Sequence, residues 1–289
     1  LEAISIVNSI PEIQPDNTDR NRTSPFAFTG NRFEFRAVGA SQNASRATFV
    51  INAIVAESLN DFYDEVTALE SKGEDRTQAV VTTIRKFFKE AEPIMFEGNG
   101  YSREWEEESA ARGLRAIRNV PEAYEVFEEQ QTVDLFGKLG ILNENELKAR
   151  FEVFNETYVK KLQIEARVAG DICSNHVIPA AIKYQNAIID NVRGMKELFG
   201  ADYVQYCSEA LEALKSISSY VNEISSDVRT LVDRRAEANR IEDIHQRALE
   251  YSHGVKDMMD KVRTSADHLE MLVDDELWPL PKYRELLFF

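Results

Sequence analysis

The sequence predicts an α+β protein that is mostly α. Two observations carry that reading. A short run alternating charge with aromatic ring, Arg32-Phe33-Glu34-Phe35-Arg36, stands near the N-terminus. From about residue 144 onward, apolar residues recur at three- and four-residue spacings over long stretches with few breaks. Alternation is the period of a strand, and the three-four spacing is the period of one buried helix face.

On a strand, Arg32, Glu34 and Arg36 share one face and Phe33 and Phe35 the other. The two rings are expected to anchor the strand in a core while the three charges line a pocket behind it. The same alternation also fits an exposed edge strand with ion pairs along it. Upstream, Arg20 and Arg22 lie in a polar loop closed by Pro25. Arginines gathered around a carboxylate suit an anionic ligand, because the guanidinium fork grips carboxylate or phosphate with two parallel donors.

Residues 1–18 mix an apolar run with Pro11 and Pro15 and read as the end of an element followed by a loop. After the strand, expected over 31–38, Gly39 to Arg46 is a polar turn. A helix is expected from Ala47 to about Lys72, with Gly73 as its terminator. A second is expected from Arg76 to Glu92, burying Val80, Val81, Ile84, Phe87 and Phe88 and stopped by Pro93. Between residues 94 and 143 the pieces are shorter. Ser102 is placed to cap a helix starting near Glu104. Pro121 opens another, and Thr132 to Leu139 forms a third. Gly98-Asn99-Gly100 lacks the spacing and the lysine of a phosphate loop and is read as turn geometry.

Three long helical patterns follow, at about 144–192, 201–234 and 237–273. The first buries Leu147, Phe151, Phe154, Tyr158, Leu162, Val168 and Ile172, and Pro179 is expected to kink or break it. The second runs a seam through Val204, Cys207, Leu211, Leu214, Ile217, Val221, Ile224, Val228 and Leu231. The third runs a similar seam through Ile241, Ile244, Ala248, Tyr251, Val255, Met258, Val262 and Leu269. The last two are expected to pair as an antiparallel hairpin with the first packed on them. The aromatic, proline-stiffened tail from Trp278 is too apolar for a free end and is expected to dock on its own domain or on a neighbouring subunit.

Composition narrows the function. The chain has 289 residues, of which 43% are apolar, enough to bury a core. With 34 basic against 50 acidic residues the net charge is −16, which argues against a nucleic-acid partner. No apolar run reaches the ~18–20 residues of a membrane span. Cys173 and Cys207 lie in helical patterns and read as buried thiols in a reducing compartment. Cys173 and His176 are placed to share a helix face, but two ligands do not make a zinc site. Asp274-Asp275-Glu276 reads as a solvated acidic run. No nucleophile elbow, HExxH or GxGxxG after a strand is present. The sequence opens at Leu1, close to its organising stretch, and is expected to be a piece of a longer polypeptide.

Several stretches together resemble type III glutamine synthetases. They are Asp19-Arg20-Asn21-Arg22-Thr23-Ser24-Pro25-Phe26, Gly30 to Arg36, Phe96-Glu97-Gly98-Asn99-Gly100-Tyr101-Ser102, Gln163 to Arg167, His176 to Asn186, and Leu277 to Arg284. The likeness spans nearly the whole chain. The Arg-x-Glu-x-Arg strand is shared by glutamine synthetases generally, whereas Arg46-Ala47-Thr48 departs from the Asn-Pro-Tyr that follows it in shorter members.

The resemblance implies an ATP-dependent glutamate–ammonia ligase that makes glutamine through γ-glutamyl phosphate. Glu34 would be one carboxylate ligand of a Mg²⁺ or Mn²⁺ ion. Arg36 would contact glutamate and the transferring phosphoryl group, and Arg32 the nucleotide phosphates. Arg22, with Arg20 beside it, resembles the upstream arginine that meets ATP phosphate. Residues 1–72 would be the last part of the catalytic α/β domain and 73–289 a helical C-terminal domain. The parent would be a cytoplasmic homo-oligomer, a ring dodecamer by resemblance, and this chain alone would be inactive. Two other readings stay open. One is a helical module for oligomerisation or regulator docking; the other is a related carboxylate–amine ligase with a different amine.

Overall fold

A computed structural model describes residues 26–28, 32–37, 43–96, 98–115 and 117–287, with the side chains of Phe28, Tyr283 and Arg284 set aside. The fold is mostly helical, as the apolar spacing implies. It divides into two compact units. The first comprises the described residues up to Ile117 together with Gln130–Glu144; the second comprises Arg118–Glu129 and Asn145 onward.

In the first unit, β1 (Phe26–Phe28) and β2 (Phe33–Phe35) form an antiparallel hairpin. Helix α1 (Ser45–Ser71) buries Ala53 and Val66, and α2 (Arg76–Ala91) packs on it, with Phe62 and Phe87 meeting edge to face at 5.6 Å. These two helices lie on either side of residue 72 yet share one unit. The turn between them follows from Gly73. At φ +96 it lets its own N–H reach Glu70 O at 2.9 Å and the Glu74 N–H reach Leu69 O at 3.2 Å, closing the last carbonyls of α1. Asp75 then accepts from the Thr77 N–H and opens α2.

The buried face of α2 is not the expected one. Ala79 and Thr83 are inside, with Phe87 half-buried, whereas Val81, Ile84 and Phe88 are exposed, Phe88 at 64%. The helix carries apolar residues on two faces, and the side that faces α1 through Phe87 and the Lys86–Glu65 ion pair is not the one the larger apolar residues mark. Ser102 caps α3 (Arg103–Ala111), its hydroxyl accepting from the Trp105 N–H. The Gly-Asn-Gly segment is a turn. Asn99 accepts from the Tyr101 N–H, and a Cβ on Gly98 would meet the Phe96 ring at 3.1 Å. That ring stacks on Trp105 at 3.7 Å. Helix α5 (Gln130–Lys138) completes the unit, with Phe136 buried and 5.8 Å from the Phe49 ring.

The second unit is a long-helix bundle. After the short α4 (Val120–Tyr124), α6 (Glu144–Ile172) runs into a π turn, Cys173–Val177, and on into α7 (Ile178–Phe199). Pro179 neither breaks nor ends this rod. Proline crowds the preceding turn and has no N–H to return. The wider turn just ahead of it, closed by the Ile178 N–H on Cys173 O, accommodates the mismatch. Helix α8 (Tyr203–Ala238) returns, and α9 (Ile244–Glu250), a second π turn (Tyr251–Val255) and α10 (Lys256–Leu272) form the last leg. The turn into that leg, 239–243, falls later than the apolar pattern placed it. It is built by Asn239 and the Asp243 cap rather than by Gly or Pro.

Side-chain pairs fix the directions. Gln185 donates to Ser218, Lys261 reaches Asp227 at 2.8 Å and Ser265 meets Glu223 at 3.3 Å. From 261 to 265 the partner on α8 falls from 227 to 223, so α8 and α10 are antiparallel; Gly170, where a Cβ would lie 3.6 Å from Val228, and Gln185 on Ser218 set the α6–α7 rod antiparallel to α8 in the same way. Two apolar clusters fill the bundle. One gathers Cys173, Val177, Ala181, Ile217, Ile224, Val262, Leu269 and Trp278. The other gathers Val159, Leu162, Ala166, Leu231, Ala248, Tyr251 and Val255. Val168 and Val204, expected inside, are about half exposed. The tail docks on its own unit. Trp278 is buried, and Lys282 donates to Glu270 O at 2.9 Å and pairs with Asp275; α11 (Tyr283–Leu286) follows.

Candidate functional site

The candidate site is the β1–β2 hairpin. Its register sets Ala27 opposite Glu34, so the smallest side chain of β1 faces the only carboxylate of β2. Ala27 is buried, and Glu34 is half-buried beside it. From the same face Arg32 and Arg36 reach inward to that carboxylate. Arg32 Nη2 lies 3.3 Å from Oε1, and Arg36 donates to Oε2 through Nη2 at 2.5 Å and Nε at 3.2 Å. The strand period brings these three charges together, as the sequence predicts.

The aromatic face corrects the expectation. Phe33 and Phe35 are 47% and 41% exposed, not sunk in a core. Among the described residues the sheet has two strands, and the rings pack across it instead, Phe26 on Phe35 at 5.2 Å. Arg20 and Arg22, predicted to meet the same ligand, lie outside the described residues.

The arginines tune the carboxylate. Hydrogen bonds from Arg36 first, and from Arg32 second, hold the Glu34 carboxyl below the usual carboxylate range, against a smaller opposing effect of desolvation. A carboxyl so lowered contributes stability above its unfolded pKa and loses it as the pH falls through the folded value. The expected result is a Glu34 side-chain carbon signal that titrates at lower pH than an unpaired surface glutamate. Substituting Arg36→Gln should move that titration upward. An unchanged midpoint would remove Arg36 as the cause.

The other sequence candidates separate in space. The π turn puts Cys173 in the core and leaves His176 exposed, so the two do not share a face. Both cysteines are free and buried, and burial pushes the Cys173 thiol up to about 11. In the acidic run, Asp274 accepts from the Glu276 N–H while Asp275 pairs with Lys282. Among the described residues no group of three or more His, Cys, Asp or Glu is placed to hold a metal ion.

Sequence reasoning missed a polar chain in the second unit. His245 Nε2 lies 3.0 Å from Glu125, its Nδ1 lies 3.4 Å from the buried Asn155, and its ring packs on Phe151. Those partners are 90 and 120 residues away in the chain, so no local spacing announces them.

Comparison with known proteins gives the hairpin its context. The profile described as "Glutamine synthetase C-terminal domain" matches residues 79–196, from α2 into α7. A glutamine synthetase from Bacteroides fragilis is 45% identical over 283 residues, covering 98% of this chain and 39% of that protein. A type-3 glutamine synthetase from Dictyostelium discoideum is 36% identical over 288 residues, covering 98% of this chain and 38% of that protein. A glutamine synthetase from Butyrivibrio fibrisolvens is 29% identical over 278 residues. Over nearly its whole length the chain is similar to part of these glutamine synthetases.

The profile covers helical residues and not the hairpin, whereas the Bacteroides and Dictyostelium alignments run over nearly all of the chain. The chain spans about 38–39% of the length of these glutamine synthetases. No helix among the described residues is long and apolar enough to cross a membrane.

Proposed function

We propose that this chain is the C-terminal part of an ATP-dependent glutamate–ammonia ligase and supplies one wall of its active site through the β1–β2 hairpin. The observation that carries this reading is Glu34 held between Arg32 and Arg36 on one strand face, in a chain similar over nearly its whole length to part of glutamine synthetases.

The residues fit a divalent metal in part. A carboxylate kept ionised by two arginines is a hard oxygen donor of the kind Mg²⁺ and Mn²⁺ select. It is a single ligand, so the ion would need further donors beyond the described residues. A bound ion would supply charge neutralisation for the phosphoryl oxygens. The residues in hand do the rest of the work on this wall. Arg36 orients the glutamate side chain and steadies the negative charge that develops as its γ-carboxylate accepts a phosphoryl group. Arg32, with Arg22 and Arg20, holds the nucleotide phosphates. Fixed guanidinium donors suit a transition state whose charge spreads over phosphoryl oxygens. Arg32 engages Glu34 through Nη2 and Arg36 through Nε and Nη2, so in this reading each five-donor guanidinium serves the carboxylate and the ligand together.

In this reading residues 1–72 end the catalytic domain and 73–289 are the helical C-terminal domain of a cytoplasmic enzyme. Self-assembly into a ring, a dodecamer by resemblance, is supported by the exposed apolar face Val81, Ile84 and Phe88 of α2. The same face is what favours the second reading, a module whose main task is assembly.

The test compares two purified proteins. The full-length parent should form glutamine from glutamate, ammonia and ATP, and the 289-residue chain alone should form none. Glutamine formed by the chain alone would contradict the one-wall account. A parent that assembles but forms no glutamine would favour the assembly module.

A further inference from the structure

The strap Arg118–Glu129 interrupts the first unit in the sequence but belongs to the second, where α4 packs on α9. Its ends continue into the first unit at Ile117 and Gln130. Two kinds of contact hold it. The apolar kind sets the Tyr124 and Phe127 rings against Phe154, at 5.4 and 5.3 Å, and buries Pro121. The polar kind is a pair of glutamate–histidine contacts. Glu125, at the start of the 3-10 turn Glu125–Glu128, lies 3.0 Å from His245 Nε2, and Glu122 lies 3.6 Å from His253 Nε2.

The buried Asn155 decides where the protons on His245 sit. Its Nδ2 donates to Phe151 O at 3.0 Å. Turning the amide over would set oxygen against that carbonyl, so Oδ1 is the atom that faces His245 Nδ1, at 3.4 Å. An amide oxygen and an ionised carboxylate can only accept, so both ring nitrogens of His245 face acceptors. A neutral imidazole has one N–H and one lone pair and serves one of them; an imidazolium serves both. The charged neighbours on its own helix are engaged elsewhere. Asp243 accepts from the Gln246 N–H, and Arg247 donates to Ile241 O. From α6 the ring meets only the uncharged Asn155 and Phe151 among the described contacts. Beside His253, Glu250 lies 3.9 Å from Arg234.

We propose that the strap is a pH-operated clasp: an imidazolium at His245, with His253 as a second tether, holds Arg118–Glu129 on the bundle, and loss of the proton releases that polar hold. As the pH rises through the imidazole range the proton leaves from Nε2 to solvent, because the buried amide keeps the one on Nδ1. The Nε2 lone pair then faces a carboxylate oxygen, and the bond to Glu125 is lost. The docked strap favours the protonated ring, so the hold is present below that range and lost above it. The apolar contacts do not titrate, so the strap loosens without leaving. The clasp is independent of the ligase reading, because none of its residues belongs to the hairpin.

The test is hydrogen exchange of the 289-residue chain at about pH 5.5 and about pH 8, corrected for the intrinsic pH dependence of amide exchange. The Glu122, Ala123 and Glu125 amides, bonded within the strap, report its docking. Their protection should be about tenfold greater at the lower pH, while amides around the buried Ile224 should change far less. Glu125→Gln should remove most of that difference, because a carboxamide can donate to the neutral ring or accept from its N–H. The Glu125 side chain is 54% exposed, so the variant keeps the fold. Ring ¹⁵N signals of His245 give a second readout, with both nitrogens protonated at the lower pH and Nδ1–H alone at the higher. Equal strap protection at the two pH values would overturn the proposal. So would a pH dependence unchanged in Glu125→Gln, an Nε2–H ring at the higher pH, or an equal change at Ile224, which would assign the effect to the bundle as a whole.

Discussion

Replacing Glu34 by alanine in the full-length parent should lower metal-dependent glutamine formation by about 10³-fold or more while leaving the oligomer intact. The direction follows from the hairpin. Glu34 is the only carboxylate on β2, it is kept ionised by Arg36 and Arg32, and it faces the small Ala27 rather than a core. Its removal takes away a metal donor and also releases two guanidinium groups from their internal partner. The folding cost is small, because exposed ion pairs contribute little to stability. Size-exclusion chromatography should therefore show the wild-type oligomer, and steady-state assays should show the lost turnover, with partial recovery at high Mn²⁺ if metal affinity is what fell. If the assay loses little and the oligomer dissociates, the hairpin is an assembly contact and not a catalytic wall. Deleting Trp278 to Phe289 gives the converse readout. Trp278 is part of the bundle core, so that deletion should destabilise the second unit first.

The largest effect on stability should come from Ile224→Ala, with a cost of about 2–5 kcal/mol. Ile224 is fully buried in α8, within the cluster that also holds Ile217, Val262 and Leu269. Truncation removes buried methyl groups and leaves a cavity that α7 and α10 cannot both close, because each is tied to α8 by its own polar pair, Gln185–Ser218 and Lys261–Asp227. Denaturant unfolding monitored by far-ultraviolet circular dichroism should show a lower midpoint with little change in slope. The control is Val232→Ala on the same helix, about half exposed, which should cost well under 1 kcal/mol. Equal losses for the two would mean that α8 is not held by the face described here.

The bundle was legible in the sequence because its information is local. The seam through Ile217, Ile224 and Leu231 repeats along one helix, and those residues are all buried. Caps were legible for the same reason: Ser102 and Gly73 act through neighbours a few residues away. The second half of the third long pattern was equally clear, but its start was not, since the turn at 239–243 carries neither Gly nor Pro to mark it. Which apolar face of α2 is buried was not legible either. Val81, Ile84 and Phe88 are at least as hydrophobic as the buried Ala79 and Thr83, so the choice between the faces is made by tertiary packing and not by the local pattern. At the site, alternation alone placed Arg32, Glu34 and Arg36 together. It also suggested a buried aromatic side, which requires a layer that a two-stranded hairpin does not itself provide. The pairing of Glu57 with Lys138 was invisible, because it joins α1 and α5 across some 80 residues.

The most direct test of the central claim follows one oxygen atom. Glutamate labelled with ¹⁸O in its γ-carboxylate is supplied to the full-length parent with ATP and ammonia. If the γ-carboxylate attacks the terminal phosphorus of ATP, ADP leaves, and ammonia then displaces phosphate from the acyl carbon, so one labelled oxygen must leave with the phosphate. The account predicts inorganic phosphate carrying one ¹⁸O for each glutamine formed. Glutamine accompanied by unlabelled phosphate, or labelled phosphate with no glutamine, would contradict it.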